Sequence, residues 1–186
     1  MALQNKRQEI KMIYIAYMAT DTLRASQHEA GIMCRDSLFR AVGIKTEFAK
    51  KEGGRPYALC GGADFSVTHS NRLAACALIT DKEIPKWDEK DINILTLPFS
   101  GTEVGLDAEF IDPDADTARL SRVYERFFAT AVSSAEEFFS LWTRREAFGK
   151  LCGDGVLCKR SDSGCKYESF TVDLCSGSYR LCVCFR

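Results

Sequence analysis

The chain has 186 residues, 46% hydrophobic and 27% charged, which predicts one soluble globular domain or two small halves sharing a core. A formal net charge of −1 supplies no global basic field for nucleic acid or membrane, and no apolar run approaches the ~20 residues that span a bilayer. The segment from Met1 to Gln8 is polar and lacks a signal-peptide core, so a cytoplasmic protein is expected.

Along the chain, Lys11 to Met18 is apolar, aromatic and β-branched, and predicts a strand. Ser26 to Val42 has helical spacing, with Ala30, Met33, Cys34, Leu38 and Val42 on one face. Ser26 and Glu29 form a candidate capping box, and Gly43 stops the helix. Ile44 to Phe48 predicts a short strand, and the glycine-rich stretch from Lys50 to Gly62 a loop. Asp64 to Val67 and Leu73 to Ile79 predict strands flanking a turn at Thr68-His69-Ser70-Asn71. Asp81 to Thr102 is polar and broken by Pro85 and Pro98, so it reads as an extra hairpin using Ile92 to Leu97 or as a mobile lid. Val104 to Glu109 suits a buried strand end. Asp112, Asp114 and Asp116 mark a solvated loop without an EF-hand pattern. Thr117 to Phe128 and Ser134 to Leu151 predict helices, the second capped by Ser133 or Ser134, with Phe138, Leu141, Trp142, Arg145 and Phe148 on one broad face. Glu168 to Cys175 and Ser178 to Phe185 alternate as a hairpin turning at Ser176-Gly177. Nine cysteines without a Cys-x-x-Cys pair read as reduced core thiols rather than as zinc ligands or disulfides.

Two separated segments carry candidate chemistry. In Asp107-x-Glu109 the acids lie two apart, on one face of a strand. Glu146 and Lys150 lie four apart, one turn along a helix. Three carboxylates suit a hard cation such as Mg2+, which takes oxygen ligands and keeps substrate phosphates in its shell, and the lysine suits a phosphate. The same spacings also describe a solvated strand face and a surface ion pair worth roughly 0.3–0.5 kcal/mol.

The surrounding residues resemble the 4'-phosphopantetheinyl transferase superfamily. Gly105-Leu106-Asp107-Ala108-Glu109 matches G-(I/V)-D-(I/V)-E, with Ala108 smaller than usual. Trp142-Thr143-Arg144-Arg145-Glu146-Ala147-Phe148-Gly149-Lys150 is similar to W-(S/T)-x-(K/R)-E-A-x-x-K. Phe65-Ser66-Val67-Thr68-His69-Ser70 looks like F-(N/S)-(I/V/L)-(S/T)-H-(S/T), and Gly54-Arg55-Pro56 like G-(K/R)-P. The four blocks keep the family's order across roughly residues 53–156.

The resemblance implies an α+β pseudo-dimer of two related α/β halves, residues 1–102 and 103–186, with the coenzyme A and Mg2+ site in the cleft between them. It implies transfer of the phosphopantetheine arm from coenzyme A to a serine of an apo acyl or peptidyl carrier protein, releasing 3',5'-ADP. Asp107, Glu109 and Glu146 would hold Mg2+, and Lys150 would contact phosphate. Arg55 and His69 would face the nucleotide phosphates, with Thr68 and Ser70 adding hydrogen bonds. Glu146 is the first candidate base and Glu109 the second. Arg119, Arg122, Arg126 and Arg144 are basic residues available to an acidic carrier protein.

Two departures from the family stand out. The segment from Asp21 to Gln27 offers only Arg24 for the 3'-phosphate, and about twenty residues intervene before the Asp-x-Glu strand. The chain resembles the longer, monomeric, two-half class. The alternatives are a degenerate homologue that binds coenzyme A or a carrier protein without transfer, and a Mg2+-dependent phosphodiesterase or nuclease. The near-neutral charge and lack of a basic-aromatic stripe speak against nucleic acid.

Overall fold

A computed structural model describes residues 11–186. The polar N-terminal segment from Met1 to Gln8 lies outside the described residues. The fold is mixed α+β, built on two antiparallel sheets. The first contains β1 (Lys11–Ala19), β4 (Asp64–Ser70), β5 (Leu73–Thr80) and β6 (Asn93–Phe99), in the order β4-β5-β1-β6. The second contains β7 (Val104–Phe110), β8 (Lys166–Leu174) and β9 (Gly177–Phe185), in the order β7-β9-β8. A short pair, β2 (Phe48–Lys50) and β3 (Pro56–Ala58), stands apart.

Strand periodicity explains the layering. Alternate residues of β1 and β5 (Ile13, Ile15, Leu73, Ala75, Ala77, Ile79) meet alternate residues of β7 and β9 (Val104, Leu106, Ala108, Leu181, Val183) in one core between the sheets. The opposite face of the first sheet, with Tyr14, Ala16, Cys76 and Leu78, packs on α1 (Arg24–Ala41). The opposite face of the second, with Cys182 and Cys184, packs on α3 (Ala135–Cys152). A smaller aromatic cluster joins α2 (Thr117–Phe128) to α3, where Trp142 stacks on Phe138 and meets Phe127 and Phe128 edge-on.

Several local expectations change. Helix α1 starts at Arg24, and no side chain caps it. Ser26 lies inside the helix and donates to Asp21 at 3.0 Å, so the Ser26–Glu29 capping box does not form. Met33 is 51% exposed, because the helix turns Ala30, Gly31, Cys34 and Leu38 to the sheet. The first short strand begins at Phe48, whose ring meets Phe39 and Phe65 edge-on, and the glycine-rich loop supplies its partner β3. Thr68, His69 and Ser70 belong to β4, and the turn falls at Asn71, in the left-handed region at φ 49°. The segment from Asp81 to Thr102 forms neither a hairpin of its own nor a lid. It supplies β6, paired along the open edge of β1 from Lys11↔Phe99 to Tyr17↔Asn93. The β8–β9 turn is Cys175-Ser176, both at positive φ, one residue earlier than Ser176-Gly177.

Other expectations hold. Ser134 caps α3 by accepting from the Glu137 N–H at 3.0 Å, whereas Asp116, read as part of a solvated loop, proves to cap α2. All nine cysteines are free thiols, five of them buried, and burial pushes Cys34 up to about 12. Among the described residues, no helix is long and apolar enough to cross a membrane.

The sheets meet along β4 and β7 by an unusual seam. Side-chain oxygens of Asp64, Ser66 and Ser70 accept from the backbone N–H groups of Val104, Leu106 and Phe110 at 2.9, 3.0 and 3.0 Å. The constant offset of forty residues means that the strands run parallel, one side chain apart, with side chains replacing the backbone ladder. Arg55 locks one end. Its buried guanidinium donates to Asp64, to the Leu151 carbonyl at 2.5 Å and to the Val104 carbonyl at 3.1 Å.

Ser66→Ala leaves the Leu106 N–H buried without an acceptor, and should cost about 1–3 kcal/mol in urea unfolding. Gly105→Ala tests the second contact. Its Cβ would lie 2.1 Å from the Ala147 carbonyl oxygen and 2.7 Å from the Leu151 nitrogen, both backbone of α3. We expect a loss of about 3 kcal/mol or more in the same measurement. A loss below about 1 kcal/mol would show that α3 does not press on β7 at this point.

Candidate metal centre

Gly105, Asp107 and Glu109 occupy one face of β7, turned towards α3. The missing side chain at Gly105 lets the α3 backbone lie directly on the strand. That approach carries Glu146 and Lys150 over the two acids. Asp107, Glu109 and Glu146 each offer a carboxylate oxygen within 4.8 Å of the others. The Lys150 Nζ donates to Asp107 Oδ1 at 2.6 Å and to Thr68 Oγ1 at 2.7 Å. Thr68 also donates to Asp107 Oδ1 at 3.2 Å, and Ser70 donates to Glu109 Oε2 at 3.0 Å. Trp142 lies one turn before Glu146 on α3.

The electrostatics follow from crowding acids in a poorly hydrated place. Burial, then the neighbouring Asp107 carboxylate, pushes Glu109 up to about 7. The same two causes raise Glu146, with Lys150 opposing. Asp107 is 2% exposed, and its Oδ2 has no hydrogen-bond partner. A buried carboxylate oxygen without a donor is costly. Three converging carboxylates, one with an orphaned oxygen, fit a hard divalent cation bound by oxygen ligands.

Beside the acids lies a cavity of about 290 Å³. Its walls include Gly53, Gly54, Gly149, Gly153 and Gly155, with Arg55 and Lys150 as the cationic side chains. Glycine walls expose backbone to a ligand. Gly153 follows α3 at φ 79°, and Gly149 has no room for a side chain because the Gly155 carbonyl lies 2.0 Å from a Cβ built there.

The structure thus brings Asp107, Glu109, Glu146, Lys150, Thr68 and Ser70 together. Arg55 reaches the cavity wall with its guanidinium engaged by Asp64 and two carbonyls. His69 is exposed on the other face of β4 from Thr68 and Ser70. Partial burial, then the positive charges of Lys150 and Arg24, with His28 beyond them, hold it below its ordinary value. His28 is a neighbour that sequence reasoning missed. Its only signal is its place four residues after Arg24, which puts both on one side of the first turns of α1. Arg145 does more than cover the helix surface. It donates to the Val156 carbonyl at 3.1 Å and to that of Cys158, fixing the loop after α3. Arg144 pairs with Asp162 and stacks on Tyr167, whereas Arg119, Arg122 and Arg126 stay exposed along α2.

Fold and site define an α+β protein with a carboxylate-rich candidate cation site braced by a lysine. No protein-family model matches the chain, and no curated protein matches it.

The raised carboxylates give a signed pH dependence. Glu109 ionises at about 7 in the folded protein against an ordinary value near 4.5. Between those values the folded state keeps a proton that the unfolded state has released, so metal-free stability falls as pH rises from 5 to 8. Glu109→Gln removes this share, on the order of 2 kcal/mol. In EDTA the variant should therefore melt above the native protein at pH 8 and lose that advantage at pH 5. Matching melts at pH 8 would show that Glu109 ionises without strain.

Proposed function

We propose that the protein transfers the 4'-phosphopantetheine arm of coenzyme A to a serine hydroxyl of an apo carrier protein, releasing 3',5'-ADP. One observation carries the reading. Asp107, Glu109 and Glu146 converge with Lys150 beside a glycine-walled cavity, and these residues come from the sequence blocks that resemble the phosphopantetheinyl transferases. Further support comes from the two sheets, each with a long helix on its outer face, which suit a pair of related halves. The cluster of Arg24, His28, His69 and Lys150 suits an anionic ligand.

In the proposed reaction the serine oxygen attacks the β-phosphorus of coenzyme A. The bond between that phosphorus and the bridging oxygen breaks, and 3',5'-ADP leaves with the electron pair. Asp107, Glu109 and Glu146 would hold Mg2+, which when bound supplies charge neutralisation of the diphosphate. The Lys150 ammonium would hold a phosphate oxygen and balance the charge on the leaving group. The serine proton would pass to a carboxylate. Glu146 and Glu109 are the candidates, both raised in the metal-free site, and whichever of them binds Mg2+ becomes the weaker base. His69, held below its ordinary value by partial burial and then by the positive charges of Lys150 and Arg24, would be favoured in its protonated form beside a phosphate.

The test is incubation with coenzyme A, Mg2+ and a panel of apo carrier proteins, followed by carrier mass. A gain of one phosphopantetheine arm is expected, reduced roughly a hundredfold or more in rate by Asp107→Ala or Glu146→Ala. Coenzyme A binding without any gain would favour a binder that has lost transfer, and no coenzyme A binding would remove the reading. Because a phosphate favours protonated His69, coenzyme A in metal-free buffer should bind more tightly at pH 6 than at pH 8. His69→Asn should flatten that slope in calorimetry.

A further inference from the structure

We propose that Lys150 is a built-in counter-ion, which offsets part of the negative charge of the metal-free site and gives up Asp107 when a divalent cation enters. Cation binding and phosphate binding would then be coupled through this one side chain. The inference rests on the metal part of the reading above. Its ground is a conflict of charge, because a cation on the free Asp107 Oδ2 would sit beside the ammonium bound to Oδ1. The Lys150 Nζ lies 2.6 Å from Asp107 Oδ1, and Asp107 is one of the three residues whose oxygens converge within 4.8 Å. The Asp107 side chain is 3% exposed, so water cannot screen a second positive charge placed beside the ammonium. Asp107 itself is fixed. It sits in mid-β7 and accepts from Thr68 as well.

The lysine is the partner that can move. It rises from the last turn of α3 on a flexible four-carbon stem, and its side chain is 29% exposed. It also lines the glycine-walled cavity, so an anion bound there would offer the displaced ammonium a new partner. With the cation alone, the ammonium must give up Asp107 without compensation. With cation and diphosphate together, it exchanges one anion for another. Linkage then requires each ligand to tighten the other by the same factor.

The experiment measures Mn2+ binding by the electron paramagnetic resonance of the free ion, with and without coenzyme A, for the native protein and Lys150→Met. Without coenzyme A the variant should bind Mn2+ at least about tenfold more tightly than the native protein, because the competing charge is gone. Coenzyme A should then tighten Mn2+ in the native protein more than in the variant. Equal or weaker Mn2+ binding by a folded Lys150→Met would overturn the displacement, while Mn2+ binding by the native protein would leave the metal centre standing. Absence of Mn2+ binding in both proteins would remove the metal centre and the displacement together. A second measurement needs no loss of charge. The 15N resonance of the Lys150 ammonium, identified by its absence in Lys150→Arg, should shift when the native protein is saturated with Mg2+. An unchanged resonance would equally overturn the proposal.

Discussion

The seam between β4 and β7 is the constraint on which the remaining structure depends. Two parallel strands held one side chain apart cannot form a backbone ladder, so every inward N–H of β7 needs another acceptor. Asp64, Ser66 and Ser70 supply it on alternate residues. Thr68 occupies the remaining rung and instead turns its hydroxyl to Asp107, where Lys150 also reaches it. The same row of short polar side chains therefore joins the two sheets and opens a gap between them. Larger side chains would hold the strands too far apart for these bonds. Apolar ones would leave buried N–H groups unpaired, at a cost of about 1–3 kcal/mol each.

On the α3 side of that seam the second sheet presents its acids. Asp107 and Glu109 gain rigidity from Thr68 and Ser70, whose hydroxyls donate to their carboxylates. Glu146 follows Trp142 by one helical turn, and that ring stacks on Phe138 and meets the edges of Phe127 and Phe128. The two β7 carboxylates thus both take their hydroxyl partners from β4. Burial, and then the mutual repulsion of the three acids, raises Glu109 and Glu146, and one lysine offsets only part of the repulsion. This geometry stores unfavourable charge in the metal-free protein, which a divalent cation would relieve. That is the expected relation between a preorganised site and its ion.

Much of this was legible in the sequence, where one physical rule acts locally. The Asp107-x-Glu109 pair and the Glu146/Lys150 turn follow from strand and helix periods alone, and their alignment needed only Gly105 to let α3 descend. The bounds of α2 followed from its apolar pattern, and the start of α3 from its serine cap. The seam was not legible. Asp64, Ser66, Thr68 and Ser70 look like the solvated face of an edge strand, and only the partner forty residues on makes them interior. For the same reason the sequence pointed to Arg55 only as a phosphate contact and not as a lock, although its three acceptors come from β4, β7 and α3. The strand β6 was obscured by its prolines and polar flanks, because the edge of β1 that it covers is remote in sequence.

The strand β6 also bears on the site, although it is far from it in the fold. By pairing with β1 it carries Phe99 to the end of β9, where the ring meets Phe185 edge-on with centroids 4.5 Å apart. The chain then passes Gly101, which has no room for a side chain beside the Arg186 carbonyl, and that carbonyl accepts from Thr102 and Glu103. These contacts set the start of β7 against the end of β9 just before the Asp-x-Glu pair. The second sheet is therefore held to the first twice, by the polar seam along one edge of β7 and by the Phe99–Phe185 contact at its entry. A strand fixed at its entry and along its edge cannot slide in register, and a shift of one residue would turn Asp107 and Glu109 into the inter-sheet core. The added strand and the seam thus fix the same quantity, the face on which the carboxylates emerge.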